Sequence, residues 1–253
     1  MLFRSLASEG ESAAHPAPYM QLPEFVGPED RPGQFVLSLG PARGQGEDGP
    51  SDDFSFGAAA WSLSAHEGRP GHELQFTAMR ERGVSLARSL FAFNSVNVEG
   101  WALYAEAEML PYEPLEGQFI ALQFRLLRAA RALLDPLINL GRLSPEAALR
   151  LLTTEVGLSA PLARQELERY TSRAPGQAGS YFYGYIRLLE LRAETELALG
   201  ERFEREAFNN FLVGQGLLPP AQLAQAVREH FIPSVLRPSP ACGGASACEP
   251  SRP

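Results

Sequence analysis

The sequence predicts a mostly α, multi-helical protein with one short strand element near its N-terminus. Apolar residues recur at helical spacing over most of residues 58–232, whereas the preceding segment is rich in proline and glycine. The 253 residues are 45% hydrophobic, which suits one compact core. We therefore expect a single helical domain with extensions at both ends.

Residues 1–57 form the first predicted unit, an entry segment with a strand and a flexible loop. The string GQFVLSLG, at residues 33–40, is the only good strand candidate there, and an edge position suits it. Glycines and acidic residues dominate residues 40–57 and bury little surface, so a long loop is expected there.

Residues 58–232 form the second unit, the helical region. Periodic segments are predicted at 58–65, 74–91, 97–109, 117–134, 145–154, 162–170, 178–199, 202–213 and 220–230. Ser144 before Pro145 is a start signal, and Gly157, Gly200 and Gly214 are stop signals.

Residues 233–253 are predicted to be a disordered tail, because Pro, Gly, Ser and Ala dominate them. Both cysteines of the chain, Cys242 and Cys248, lie in this tail. We interpret them as flexible thiols without a function, with a local disulfide or a stray metal contact as the alternative.

Charge and hydropathy exclude several partners. The net charge is -8, with 22 basic residues scattered among 30 acidic ones, so neither nucleic acid nor an anionic membrane surface is expected to bind. No stretch approaches the roughly 20 apolar residues of a membrane span, and no signal peptide is visible. A cytoplasmic location is the default expectation, and a periplasmic one applies if the sequence is N-terminally truncated.

The densest chemical signal is the string HEGRPGH at residues 66–72, which holds two of the four histidines of the chain. In the common zinc-peptidase helix, histidines four residues apart bind one ion, and the glutamate beside the first activates water. Six residues of unbroken helix would instead separate the imidazoles by about 120° and by about 9 Å along the axis.

Pro70 offers a solution to this spacing. It has no N–H for the carbonyl of His66, and its ring crowds that carbonyl, so the helix must bulge or break. Gly71 accepts the backbone angles that a bulge requires. We therefore predict a kinked turn that brings His66 and His72 to one zinc ion, with Glu67 as the catalytic base.

The third ligand is expected from the helix predicted at residues 97–109. Glu99 is preferred, because Gly100 beside it permits a close approach of that helix. Glu106 is seven residues further on and on nearly the same face. It remains the alternative, either as the ligand or as a partner that orients a ligand histidine.

Three strings carry a family resemblance: HEGRPGHELQ at 66–75, VEGWALYAE at 98–106 and APGQAGSY at 174–181. They resemble the bacterial domain-of-unknown-function 885 family (DUF885), over most of residues 17–232. Its members look like gluzincin-type zinc peptidases, related to thimet oligopeptidase, angiotensin-converting enzyme and the thermostable carboxypeptidases. The resemblance implies a gluzincin-like fold that hydrolyses peptides, with zinc held by His66, His72 and Glu99 and with Glu67 as base.

The resemblance also points to the tyrosines of the helix at residues 178–199, because related gluzincins place a tyrosine hydroxyl against the developing oxyanion. Tyr181 is the first candidate, and Tyr183 and Tyr185 are alternatives, of which Tyr185 shares a helix face with Tyr181. Arg187 and Arg192 could bind a peptide carboxylate. A surface salt bridge explains either arginine equally well.

Two positions depart from the family pattern, since Asn139 and Asn209 stand where relatives carry histidines. Relatives are also longer, which implies a missing N-terminal half that would form the other wall of the cleft. Two hypotheses therefore remain: a zinc-dependent peptidase, and a catalytically impaired helical scaffold that keeps the metal-binding fold. In the first, the strand at residues 33–40 is expected to pair with an extended peptide substrate.

Overall fold

A small sheet and a series of α-helices make up the described part of this computed structural model, which comprises residues 4–6, 18–25, 33–37 and 57–237. The mostly α class is thus confirmed. The loop predicted at residues 40–57 lies outside the described residues apart from Gly57. Both cysteines and residues 238–253 of the predicted tail also lie outside them.

The sheet has the strand order β1-β3-β2. Strand β3, Gln34–Leu37, pairs in parallel with β1, Arg4–Leu6, and antiparallel with β2, Tyr19–Gln21. The strand predicted at residues 33–40 is therefore central, so an edge position and a direct pairing with substrate are both wrong for it. Strands β1 and β2 are three residues long, too short for a periodic signal.

The helices follow the sheet in the order α1 Gly57–Glu67, α2 His72–Glu81, α3 Leu86–Phe91, α4 Ser95–Met109, α5 Leu115–Asn139, α6 Pro145–Thr154, α7 Ala160–Glu168, α8 Ser180–Leu199, α9 Arg205–Gly214, α10 Pro220–Ala226 and α11 Ile232–Leu236. A π-helical turn follows α7 at Arg169–Arg173, and another follows α10 at Val227–Phe231. Among these helices, none has the length and apolar character needed to cross a membrane.

Several helix ends follow the expected signals. Side-chain oxygens accept a hydrogen bond from the backbone N–H three residues on at Ser85 for α3, Asn94 for α4, Ser144 for α6 and Ser159 for α7. The helix predicted at residues 74–91 is two helices, because Gly83 adopts a φ of 70° after α2. At the C-terminal end, α11 extends past the boundary predicted at residue 232.

The largest hydrophobic core surrounds the contact between α4 and α8. The two backbones meet at Gly100 and Gly184, where a Cβ on Gly100 would come within 2.6 Å of the Gly184 carbonyl carbon. Trp101 and Tyr104 of α4 and Phe208 of α9 pack around this contact. The close approach therefore fixes the position of the helix that carries Glu99 and Glu106.

The inward face of α5 contributes side chains to two separate hydrophobic cores. Toward α1, Phe124 contacts Leu63 in a small core, and toward α6 and α7, Leu127 joins a second core that includes Leu152. Helix α5 thus holds α1, and with it the histidine string, against the rest of the helical region.

Candidate metal centre

The chain bends sharply between α1 and α2, as Pro70 predicts. Helix α1 ends one residue after His66, and α2 begins at His72. Gly71 lies against the end of α1, where a Cβ would be 1.9 Å from the His66 carbonyl oxygen, so no side chain fits. Trp101 holds the bend from α4, because its indole N–H donates to the Pro70 carbonyl at 3.0 Å.

This bend brings two imidazoles to one carboxylate. The rings of His66 and His72 lie 4.8 Å apart between centroids and are nearly perpendicular, at 82°. The Nε2 atom of each lies 3.5 Å from Oε2 of Glu99. Bonds of about 2.1 Å around a tetrahedral zinc would place ligand atoms about 3.4 Å apart. Both Nε2–Oε2 distances therefore match this spacing, and the three ligand atoms all lie within 4.8 Å of one another.

The hydrogen bonding of Glu99 supports the same interpretation. Its Oε2 atom is buried and has no hydrogen-bond partner within the described part of the chain. A buried carboxylate oxygen without a partner is unfavourable unless a cation or a donor satisfies it. A zinc ion held by Glu99, His66 and His72 would satisfy it. These three residues form a candidate metal group by their mutual distances.

Glu106 lies behind His66 rather than in the metal group. The Nδ1–H of His66 donates to Oε1 of Glu106 at 2.7 Å, which leaves Nε2 to face Glu99. Arg128 of α5 donates to the same oxygen at 3.2 Å. Burial opposes ionisation of Glu106, but Arg128 and His66 outweigh it and hold its pKa below the usual range. The geometry favours Glu99 as the ligand and Glu106 as the orienting partner.

The carboxylates also set the charge of His66. Burial lowers its pKa, but the hydrogen bond to Glu106 and the nearby carboxylate of Glu99 outweigh this effect and raise the pKa to about 9. Burial likewise opposes ionisation of Glu99, yet the two imidazoles hold the pKa of that carboxyl well below its usual range. A cation that binds Nε2 of His66 would displace a proton.

Glu67 ends α1 beside the two histidines and contacts the sheet. The backbone N–H of Met20, in β2, donates to its carboxylate. Burial raises the pKa of Glu67, and although His66 and His72 oppose this effect, the pKa stays above its ordinary value of 4.5. A carboxylate with a raised pKa suits a general base, because it can accept a proton and release it again.

Tyr181, in the first turn of α8, contacts the metal group from the other side. Its ring stacks on His66 at 6.3 Å between centroids, with an angle of 16° between the planes. Its hydroxyl oxygen accepts from Arg169 at 2.9 Å, so the hydroxyl proton remains free to donate. Burial raises the pKa of Tyr181, which therefore stays protonated at neutral pH. By contrast, Tyr183 is exposed, and Tyr185 is buried beneath Arg125.

The loop before α8 is anchored to α5. The carboxylate of Asp135 accepts from the backbone N–H of Gly176 at 2.8 Å and of Ala178 at 2.9 Å. Gln177, between them, accepts from the Arg169 guanidinium. The string APGQAGSY therefore positions Tyr181.

Three residues that support the site were not predicted from the sequence: Arg128, Asp135 and Arg169. The signal for the first two was present, because charged side chains interrupt an otherwise apolar stretch of α5. For Arg169 no sequence signal is apparent.

Both candidate substrate arginines have other carboxylate partners. Arg192 donates to Glu108 at 2.5 Å and to Glu196 at 2.7 Å. Arg187 pairs with Glu190 at 2.5 Å on the surface. These contacts match the salt-bridge alternative that the sequence left open.

The two asparagines that depart from the family pattern have structural partners. Asn139 donates to the backbone carbonyls of Asp135 and Tyr170, at 2.9 and 3.1 Å, near the end of α5. Asn209 accepts from the hydroxyl of Tyr104 at 3.1 Å. Neither contact involves a residue of the candidate metal group.

A cleft of about 590 Å³ opens between the small sheet and the helices α2 and α3. The segment after β2 forms one wall, and Phe76, Leu90 and Phe93 line the other side. Phe76 lies one turn after His72 on α2, and its ring is 6.4 Å from the imidazole. Phe76 therefore lies between the cleft wall and a candidate ligand.

Comparisons with other proteins concern family and fold. A family model described as "Bacterial protein of unknown function (DUF885)" matches residues 7–227. Two solved structures are similar. The first is "the putative lipoprotein from Colwellia psychrerythraea", with a TM-score of 0.80 and 24% identity over 92% of this chain. The second is "a putative lipoprotein of unknown function from Shewanella oneidensis", with a TM-score of 0.72 and 25% identity over 90% of this chain. The chain spans only 38% and 40% of these two proteins. No curated protein matches it.

Proposed function

This chain belongs to the bacterial DUF885 family, whose function is unknown, and we propose that it is a gluzincin-like, zinc-dependent peptidase. The observation that carries the proposal is the convergence of His66 and His72 on Glu99, each Nε2 lying 3.5 Å from one carboxylate oxygen. Two histidines and a glutamate are a donor set of catalytic zinc in peptidases, where a fourth position stays open for water.

The residues around this group have the properties that peptide hydrolysis requires. When bound, zinc would lower the pKa of its water toward about 7 and polarise a substrate carbonyl. Glu67 accepts the proton of the attacking water and passes it to the leaving amine. The Tyr181 hydroxyl donates to the carbonyl oxygen as it becomes negative. Removal of comparable donors costs about 2.7–4 kcal/mol of transition-state stabilisation.

The surroundings of Glu67 favour an extended peptide as the substrate. Strand β2 is one of the two outer strands of the described sheet, and its Met20 N–H donates to the Glu67 carboxylate. An outer strand offers main-chain hydrogen bonds to an extended chain, so β2 takes the role expected of β3. The cleft along the segment after β2, with Phe76 and Phe93 in its walls, suits an apolar side chain.

The cellular location is proposed from the neighbours. The similar proteins of Colwellia psychrerythraea and Shewanella oneidensis are both described as a "putative lipoprotein", which favours an extracytoplasmic location for this chain. An extracytoplasmic location replaces the cytoplasmic location expected by default from the sequence. It agrees with the periplasmic location given there as the alternative.

The experiment compares the wild-type chain with Glu67→Gln in a peptide-library digestion, with zinc content measured on both proteins. We expect unchanged zinc content in Glu67→Gln and cleavage reduced by about 10²- to 10⁴-fold, the usual contribution of a general base. Glu190→Gln is the matched control, because Glu190 pairs with Arg187 at the surface, and it should cleave like the wild type.

The second candidate function is a catalytically impaired scaffold that keeps the metal. It is favoured by the structural hydrogen bonds of Asn139 and Asn209, the two positions that depart from the family pattern that the sequence resembles. Bound zinc without any cleavage that depends on Glu67 would support this candidate. Absence of zinc from the wild type would rule out both.

A further inference from the structure

The outward face of α5, together with Leu140 directly after it, exposes a continuous apolar stripe. Large apolar side chains that are 49% to 78% exposed follow one another at spacings of three, four or seven residues: Leu115, Phe119, Leu122, Leu126, Leu133 and Leu140. Ala129 and Pro136 fill the two seven-residue gaps. This is the heptad pattern of a helix seam. We refer to these eight residues as the α5 stripe.

Helix α5 is apolar on its opposite face as well, where Ile120, Phe124 and Leu127 are buried. A helix that is apolar on both faces normally lies between two layers of protein. Among the described residues, only the inner layer is present, which leaves the stripe open.

The two longest segments outside the described residues lack a pattern suited to the stripe. Residues 38–56 contain Leu39, Phe54 and Phe56 as their large apolar residues, among many glycines and aspartates. Residues 238–253 contain none. Neither segment carries a heptad pattern that could match the stripe.

We propose that a second copy of this chain covers the α5 stripe, with the two α5 helices antiparallel about a two-fold axis. In one register every stripe residue meets a stripe residue of the second copy: Leu115 meets Leu140, Phe119 meets Pro136, Leu122 meets Leu133, and Leu126 meets Ala129. Pairs of unequal size, such as Phe119 with Pro136, allow the side chains to interdigitate.

The flanks of the stripe do not oppose this register. Glu116 lies opposite Leu137 of the second copy, and Arg125 lies opposite Ala132. No like charges lie directly opposite each other at these two flanking positions. Symmetry of this isologous kind is the commonest arrangement of homodimers.

The area of the stripe is sufficient for a stable dimer. Its exposed side chains present roughly 700 Å² per copy, close to the about 800 Å² per partner of a standard interface. This exceeds the about 300–600 Å² of the largest apolar patch on a typical monomer.

The first test is the mass of the full chain in solution, measured by sedimentation equilibrium over the micromolar range. We expect a dimer for the wild type and a monomer for Leu122→Glu/Leu133→Glu, whose carboxylates would face each other in the seam. Leu197→Glu is the matched control, because Leu197 is 87% exposed on α8 outside the stripe, and it should remain a dimer. Circular dichroism reports whether each variant is folded.

The second test examines the register by disulfide formation in a Cys242→Ser/Cys248→Ser background. Chains with Leu126→Cys and chains with Ala129→Cys should cross-link in higher yield when mixed than either does alone. Equal yields of cross-linked chains would overturn the register.

A wild-type monomer at every concentration, or a dimer unaffected by Leu122→Glu/Leu133→Glu, would overturn the proposal of a second copy. A monomer would leave the stripe to a different polypeptide. Neither test depends on zinc or on peptidase activity.

Discussion

Individual residues of the three family strings have separable structural roles in the candidate metal centre. In the string VEGWALYAE, Glu99 faces the histidines, Gly100 lets α4 meet α8, and Trp101 holds the bend between α1 and α2. Glu106 orients His66. Because each role depends on a specific contact, single substitutions can test them one at a time.

Gly71→Ala tests the bend. The added methyl group would lie 1.9 Å from the His66 carbonyl oxygen, so the turn must open and separate the two imidazoles. We expect a stability loss of about 1–3 kcal/mol, the usual cost of forcing an extra methyl group into a packed site. Zinc affinity should also fall by more than tenfold.

Titration calorimetry with zinc and urea unfolding measure these two effects. Gly57→Ala is the control, because nothing lies within 4 Å of a Cβ at Gly57, and it should match the wild type. Zinc binding by Gly71→Ala with wild-type affinity would show that the bend does not control the metal group.

Glu106→Gln tests the orienting hydrogen bond. The amide oxygen can still accept from His66, but the negative charge that raises the basicity of the imidazole is lost. We expect zinc affinity to fall by about 10- to 100-fold, as for other partners of ligand histidines. Glu108→Gln, on the same helix, should leave the affinity unchanged, since Glu108 pairs with Arg192. Equal affinities for both variants would contradict this role of Glu106.

At the scale of secondary-structure elements, the contact of α4 with α8 controls where Glu99 lies. A Cβ on Gly184 would be 2.0 Å from the Val96 carbonyl oxygen, so the two helices cannot approach this closely with any larger residue. Both Glu99 and Tyr181 are placed by these helices. The separation of α4 and α8 therefore sets the distance between the candidate ligands and the candidate oxyanion donor.

Gly184→Ala should move α4 away from α8. We expect a loss of stability of about 1–3 kcal/mol from overpacking, together with weaker zinc binding as Glu99 moves from the histidines. The control is Gly179→Ala, before the same helix, where an added Cβ would meet its nearest neighbour at an ordinary 3.8 Å. If Gly184→Ala bound zinc like Gly179→Ala, the helix contact would not position Glu99.

Local sequence patterns predicted elements and the centre of the site, but not the contacts between elements. Helix α6 begins and ends where the periodicity and the Ser144 cap predict. The single helix predicted at 74–91 is wrong, because Gly83 and Ser85 outweigh the apolar pattern there. Strands β1 and β2 depend on pairing across the sheet, which no local pattern encodes.

The candidate ligands were predictable because their spacing is local. The string at residues 66–72 required a bend before two histidines could share one ion, and Pro70 supplied the reason for the bend. The supporting residues Arg128, Asp135 and Arg169 act across helix contacts, so their partners appear only in the folded chain.

At the scale of the whole molecule, a buried ion pair joins α5 to α7. Arg131 donates to both carboxylate oxygens of Glu166, at 2.7 and 2.5 Å, and the Tyr170 hydroxyl donates to the same carboxylate at 2.8 Å. Burial acts to raise the pKa of Glu166, but Arg131 outweighs it and holds the pKa below the ordinary value of 4.5.

This pair makes the stability of the fold depend on pH. Because the pKa of Glu166 is lower in the folded chain, its contribution is complete above about pH 4.5 and is lost as pH falls through the folded value. We expect Glu166→Gln to lose about 3–5 kcal/mol at pH 7, because Arg131 is left buried without a countercharge. That difference from the wild type should shrink in acid.

Urea unfolding at neutral and acidic pH measures the difference. Glu194→Gln is the control, because Glu194 pairs with Arg228 near the surface, and it should change stability little at either pH. A stability difference between wild type and Glu166→Gln that stayed constant down to pH 3 would contradict the low pKa of Glu166.

The most direct test of the whole account is anomalous diffraction from crystals grown with zinc, collected on both sides of the zinc absorption edge. We expect one peak about 2.0–2.2 Å from Nε2 of His66, Nε2 of His72 and the Glu99 carboxylate. Density in which these three side chains contact one another with no peak between them, or a zinc peak bound by other residues, would contradict it.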